Sequence, residues 1–85
     1  MGAVTETIRR KLQAGFSPLR LEVADESSKH HGHAGAHPSG ESHFRIRISA
    51  AAFADHRRVA QHRMINDALA HELKTRVHAL AIEIV

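Results

Sequence analysis

Three short stretches of this 85-residue chain alternate apolar with polar side chains, and no other feature restricts its fold as much. From Leu19 to Val23, Leu19, Leu21 and Val23 share one face, with Arg20 and Glu22 on the other. From His43 to Ile48, Phe44, Ile46 and Ile48 alternate with Arg45 and Arg47. In the closing stretch, Val77 to Val85, His78, Leu80, Ile82 and Ile84 fall on one side. A period of two marks a strand with one dry and one wet face. Strands must pair, and a chain this short holds one core. The three stretches therefore predict one small sheet, dry on one face.

Two segments with a helical period supply the cover. Val4, Ile8 and Leu12 recur at every fourth position and predict a helix from Val4 to Ala14, with Arg9, Arg10 and Lys11 facing away. Thr5 or Thr7 is suited to cap its start and Gly15 to close it, and Pro18 prevents its continuation. After a short connection through Phe53, a second helix is predicted from Arg57 to Leu73. Met64, Ile65, Ala68, Leu69 and Leu73 form its apolar arc, which takes in His62 beside Leu69. Arg63, Asp67, Ala70 and Lys74 lie opposite. Periodicity alone gives the order α-β-β-α-β in a single domain spanning residues 1–85.

Between the first two strands, Asp25 to Glu41 holds three of the five Gly and nothing larger than Ala that could build a core. A loop this long is uncommon in a small domain and is often functional. Five of the chain's nine His fall between positions 30 and 43. Imidazole is the commonest metal ligand, and His30, His31, His33 and His37 are close enough in sequence to reach one ion. A solvated polar loop has the same composition. A complete zinc site from this loop alone would have to freeze a Gly-rich segment, with no carboxylate or thiolate at standard spacing. His78 starts the last strand, on the side that Leu80, Ile82 and Ile84 turn inward. It reads either as a half-buried structural His or, kept neutral by that burial, as a ligand. Position alone leaves both open.

Composition removes several classes. The chain has no Cys, so it has no disulfide framework, no thiolate nucleophile and no thiolate-held cluster of its own. With 42% hydrophobic and 25% charged residues it is an ordinary globular chain, and its apolar runs are far too short to cross a bilayer. The N-terminus shows neither a secretion core nor a myristoylation motif, which makes a cytoplasmic protein the default. Serines near His and Asp lack a nucleophile elbow, a phosphate loop or a paired carboxylate frame, so no enzyme is expected. A net charge of +3 is a weak argument for nucleic acid. Phe16, Phe44 and Phe53 all read as core residues, which leaves no base-stacking platform. Gly32-His33-Ala34-Gly35 matches the GxxG of KH domains, but it falls between strands rather than between helices.

Several local sequences, in order, resemble the BolA family. Asp25-Glu26-Ser27 followed by His30, then Gly40-Glu41-Ser42-His43-Phe44, is similar to its central signature. Gln61-His62-Arg63 resembles its Arg-His-Arg segment with the first Arg replaced, and Val77-His78-Ala79-Leu80 resembles its C-terminal signature. The resemblance spans about residues 4 to 85, without the family's C-terminal tail. It implies an α+β fold of order α-β-β-α-α-β, a three-stranded sheet covered by helices and similar to the class II KH fold, with a short third helix near Lys74. It also implies a monothiol glutaredoxin partner and a shared [2Fe-2S] cluster, with thiolates from glutaredoxin and glutathione and imidazoles from this chain. His78 matches the family's C-terminal ligand, and the loop supplies the second, His30 by position or His33 as its rival. His can replace Cys on one iron, as in Rieske centres. Family members are also described as stress-induced morphogens that bind DNA as transcription regulators. That alternative would place Arg57, Arg58 and Arg63 on phosphate. No small-molecule substrate and no membrane contact are expected.

Overall fold

The computed structural model describes residues 2–27 and 41–85. Strands β1 (Arg20–Asp25), β2 (His43–Ser49) and β3 (Ala79–Ile84) form one sheet in the order β1-β2-β3. β2 runs antiparallel to β1 and parallel to β3, so the most buried strand is the central one. The register aligns Val23, Ile46 and Ile82 in one row, and Leu21, Ile48 and Ile84 in the next. Helices α1 (Ala3–Phe16), α2 (Arg58–Ala68) and α3 (Ala70–Thr75) complete the order α-β-β-α-α-β. Ile8 and Leu12 from α1, Ile65 from α2 and Leu69 between α2 and α3 are fully buried against Phe44, Ile46 and Ile48. A 3-10 turn at Ala51–Phe53 buries Phe53, whose ring centroid lies 5.1 Å from that of Phe16. Each of these large apolar side chains contributes on the order of 1.5–3 kcal/mol by leaving water.

The α+β order and the apolar rows agree with the sequence reading; several boundaries do not. The long second helix is two, broken at Leu69, whose φ of −105° and ψ of 19° interrupt the helical path. The short third helix implied by the family resemblance is α3. Leu19 is 85% exposed, because β1 begins at Arg20 and the inward row starts with Leu21. Gly15 lies inside α1, and the left-handed closing residue is Ser17, with a φ of 45°. His62 is half-buried at the edge of the apolar arc, beside Arg58 and Arg63.

Neither Thr5 nor Thr7 caps α1. Thr7 donates its hydroxyl back to the Ala3 carbonyl at 2.9 Å. The N-cap is Gly2, which has no side chain, and the missing acceptor comes from 36 residues away. One carboxylate oxygen of Glu41 accepts both the backbone N–H and the hydroxyl of Thr5, each at 2.9 Å. The absence of a side chain at Gly2 leaves room for this approach, since a Cβ there would displace the Glu41 carboxylate. Glu41 itself has a φ of 57°, a conformation that costs a non-glycine residue roughly 1–2 kcal/mol. Its charge also sits where the helix dipole favours an anion.

Lys11 does not face solvent as the helical wheel suggests. Its ammonium donates to both oxygens of Glu72 on α3, at 2.9 and 2.8 Å. Burial pushes the Glu72 carboxyl up. The Lys11 hydrogen bonds, a backbone hydrogen bond, and the Lys11 and His71 charges outweigh that effect and leave it below the ordinary carboxylate range. A depressed native value stabilises the fold above the unfolded value of about 4.3, and that stability is lost as pH falls through the native value.

Two expected outcomes follow. Lys11→Met leaves a buried carboxylate without its cation. Unfolding by acid should then begin at higher pH, and neutral stability should fall by about 1–2 kcal/mol, discounted because Lys11 is 39% exposed. An acid titration followed by circular dichroism checks this, and an unmoved midpoint would refute the role of the pair. Glu41→Ala should cost about 1 kcal/mol, the usual value of a lost helix cap, while Glu41→Gln recovers part of it. Urea midpoints at a common slope read both.

Candidate functional site

Residues 41–43, which lead into β2, are where the strands and the candidate ligands meet. Asp25, the last residue of β1, accepts through one oxygen the backbone N–H of Ser27 at 2.9 Å and the Ser27 hydroxyl at 2.6 Å. A serine hydroxyl has one proton and two lone pairs. With the proton held by Asp25, Ser27 Oγ is left as an acceptor. It takes the backbone N–H of Ser42 at 2.8 Å and that of His43 at 3.3 Å. The Glu26 N–H donates to the His43 carbonyl at 2.7 Å and continues the ladder.

On its other side, the Ser42 carbonyl accepts the backbone N–H of His78 at 2.7 Å and of Ala79 at 3.2 Å. This pairing places His78 beside His43. Their ring centroids are 5.4 Å apart, with the planes inclined at 51°. Ser42 Oγ and His43 Nδ1 share a hydrogen bond of 2.9 Å, which orients the His43 ring. His43 is only 6% exposed, although it continues the alternation of Arg45 and Arg47 on the polar side. His78 is exposed and precedes β3 rather than belonging to it. This corrects the half-buried, inward-facing His78 expected from strand alternation: the period begins only at Ala79. A depression of about 290 Å³ adjoins His43, lined among others by Glu26, Arg45, Ala79 and Ala81.

The remaining loop candidates, His30 and His33 with His31, His37 and the Gly32–Gly35 motif, lie outside the described residues. His43 is the residue the sequence reading left without a role. It stands at the start of an alternating strand, and only the pairing of β2 with β3 shows that it neighbours His78. Among the described residues, no group of three or more His, Cys, Asp and Glu is placed to hold a metal ion. The pair therefore offers two donors, not a complete coordination shell. Two imidazoles on one metal, each nitrogen about 2.1 Å from it, put their ring centres about 5 Å apart at a tetrahedral angle. The observed 5.4 Å is of that size, and it is also an ordinary ring-packing distance.

The second candidate surface lies on α2. Arg58, Val59, His62, Arg63 and Asn66 border a shallow depression of about 420 Å³, and Val59 is 69% exposed. Arg57 is the N-cap of the helix and is exposed with Arg58 and Arg63. All three Phe are committed to the core or its margin, so this surface has no aromatic ring to stack on a base. Among the described residues, no helix is long and apolar enough to cross a membrane.

Comparison with known proteins agrees with the fold. An uncharacterized Sinorhizobium protein in the cobS 5′ region is 54% identical over 82 residues, covering 95% of this chain and 88% of that protein. The DNA-binding transcriptional regulator BolA of Escherichia coli K12 is 46% identical over 79 residues, covering 93% of this chain and 71% of that one. The solved BolA domain of SufE1 from Arabidopsis thaliana superposes with a TM-score of 0.88 at 42% identity, covering 99% of this chain and 92% of that domain. The family profile described as BolA-like protein matches residues 12–85, which takes in the whole sheet, α2, α3 and the His43–His78 pair, and the chain belongs to that family.

Proposed function

We propose that this chain pairs with a monothiol glutaredoxin and contributes imidazoles to a shared [2Fe-2S] cluster, in iron–sulfur trafficking or in iron and redox regulation. The observation that carries this reading is the exposed His78 ring held 5.4 Å from a buried, hydrogen-bonded His43. A chain without Cys can supply only nitrogen donors, and two of them leave the remaining ligands to come from elsewhere. Thiolates from glutaredoxin and glutathione are the complement that such a cluster needs. When bound, the cluster supplies one-electron redox chemistry and a transferable iron–sulfur unit. This chain's residues hold one side of it. His78 presents an accessible ring, and His43 offers a ring whose orientation Ser42 sets. His30 and His33, from the loop, compete with His43 as the second ligand.

Co-purification with a monothiol glutaredoxin and glutathione tests the reading. The isolated chain should be colourless, and the mixture should give a heterodimer whose visible spectrum differs from that of the glutaredoxin homodimer. His78→Ala should abolish that spectrum while the fold persists. Single changes at His30, His33 and His43 then rank the second ligand by loss of cluster retention. A mixture showing only the homodimer spectrum, or an unaltered spectrum in His78→Ala, would defeat the proposal.

A second reading, DNA binding, rests on the basic face of α2 and on the similarity to the DNA-binding transcriptional regulator BolA of Escherichia coli. Three cations at Arg57, Arg58 and Arg63 provide phosphate contacts without side chains arranged to read bases. Affinity for duplex DNA should be weak and insensitive to sequence, with a log–log salt slope of about −3. A fluorescence anisotropy titration across salt concentrations measures this. Tight binding to one defined site at physiological salt would put this reading first.

A further inference from the structure

We propose that Asp25 and Ser27 are positioning residues for the His43–His78 pair, acting through the backbone of residues 42 and 43 rather than by touching a ligand. The inference rests on the reading of that pair as a metal-holding site, and it assigns the groups that determine its geometry. The chain of contacts is continuous. The Asp25 carboxylate takes the Ser27 hydroxyl proton at 2.6 Å. Ser27 Oγ thereby faces the buried start of β2 only as an acceptor, and holds the N–H groups of Ser42 and His43 at 2.8 and 3.3 Å. The Ser42 side chain orients the His43 ring through Nδ1, and its carbonyl fixes the backbone from which His78 projects. Neither imidazole needs to touch Asp25 or Ser27 for both to depend on them.

Direction of donation makes the arrangement specific. If Asp25 were not an acceptor, the Ser27 hydroxyl could rotate and aim its proton toward the two N–H groups that it now accepts from. A carboxylate makes hydrogen bonds roughly twice as strong as a neutral acceptor does, so the negative charge biases the hydroxyl strongly. The role resembles that of outer-shell partners in metal sites, which set ring orientation and tautomer without ligating. Ser27 is 8% exposed and Ser42 1% exposed, so water competes little for these groups.

The test uses the full chain. Long-range proton–nitrogen correlation spectra of the free protein report the tautomer and environment of each imidazole without any cluster or partner. Ser27→Ala should change the His43 tautomer ratio and shift the His78 ring signals, and Ser27→Thr should restore both. Asp25→Asn keeps an acceptor of the same shape but removes the charge, and should shift the same signals in the same direction by less. Lys11→Met, which weakens a distant contact between α1 and α3, should leave them in place. In the glutaredoxin complex, Ser27→Ala should lower cluster retention by about tenfold, the lower end of outer-shell effects, and alter the visible circular dichroism.

Folded Ser27→Ala protein with unchanged His43 and His78 signals would overturn the inference. Should Ser27→Ala fail to fold, Asp25→Asn decides: no shift of either ring in that variant refutes the positioning role. If the ring signals respond as expected but wild-type protein forms no mixed cluster complex, the cluster reading fails and the positioning of the two rings stands.

Discussion

The hydrogen bonds around residues 41–43 join parts of the chain that are otherwise far apart in sequence. Glu41 supplies the cap that Gly2 cannot, and so ties the first turn of α1 to the segment leading into β2. Ser42 is bound through its N–H to Ser27 and through its carbonyl to His78 and Ala79. His43 then opens the strand that pairs with both of its neighbours. Three consecutive residues thus link α1, the end of β1 and the start of β3. Buried backbone groups must find partners, and here nearly every partner lies in a different element. The positive φ of Glu41 is tolerable in that setting, because a carboxylate holding two donors at a helix start offsets a local backbone cost of similar size.

The dry face of the sheet was legible because alternation is a local signal. Leu21, Val23, Phe44, Ile46, Ile48, Leu80, Ile82 and Ile84 all sit where a period of two puts them. The errors arose where the outcome depends on contacts distant in sequence. Nothing in the first fourteen residues announces that Glu41 caps α1, or that Lys11 turns toward Glu72 across 61 positions. The break at Leu69 carries no Gly or Pro to mark it, and Leu69 falls in the apolar arc whether or not the helix is broken there. Strand alternation extends the inward row to His78, but the ladder begins only at Ala79 and His78 is exposed. The neighbour of His43 is set by a parallel pairing, which leaves no local trace in the sequence. The family resemblance supplied the third helix that periodicity missed, and it singled out His78 without showing what stands beside it.

Charge on the wet face follows the same register. Arg47 lies between Glu22 on β1 and Glu83 on β3, at 3.5 and 3.4 Å, in the row that crosses all three strands. Arg45 reaches Glu26 at 3.3 Å, next to the depression beside His43. Exposed pairs like these add little stability singly, but they neutralise the sheet's open face. On α2, by contrast, Arg57, Arg58 and Arg63 are exposed and have no carboxylate partner among the described residues, so this face stays cationic. The two candidate surfaces are chemically different: a balanced sheet face carrying imidazoles, and a cationic helix face without aromatic rings.

That difference bears on how one small chain could serve a metal-dependent complex and still be drawn to DNA. Imidazole binds metal only when neutral, and its reach depends on orientation more than on net charge. The Ser42 hydroxyl orients the His43 ring and the Ser42 carbonyl fixes the backbone at His78, so on the proposed reading the pair loses little conformational freedom on engaging a ligand. The α2 cations need no such precision, because phosphate attraction is long-ranged and tolerant of geometry. An ordered two-donor site favours a partner that completes it, whereas a diffuse cationic face favours any polyanion and weakens with salt. On the proposed reading, specificity for the glutaredoxin complex comes from the incompleteness of the His pair. A site that held its metal unaided would have no need of the second protein.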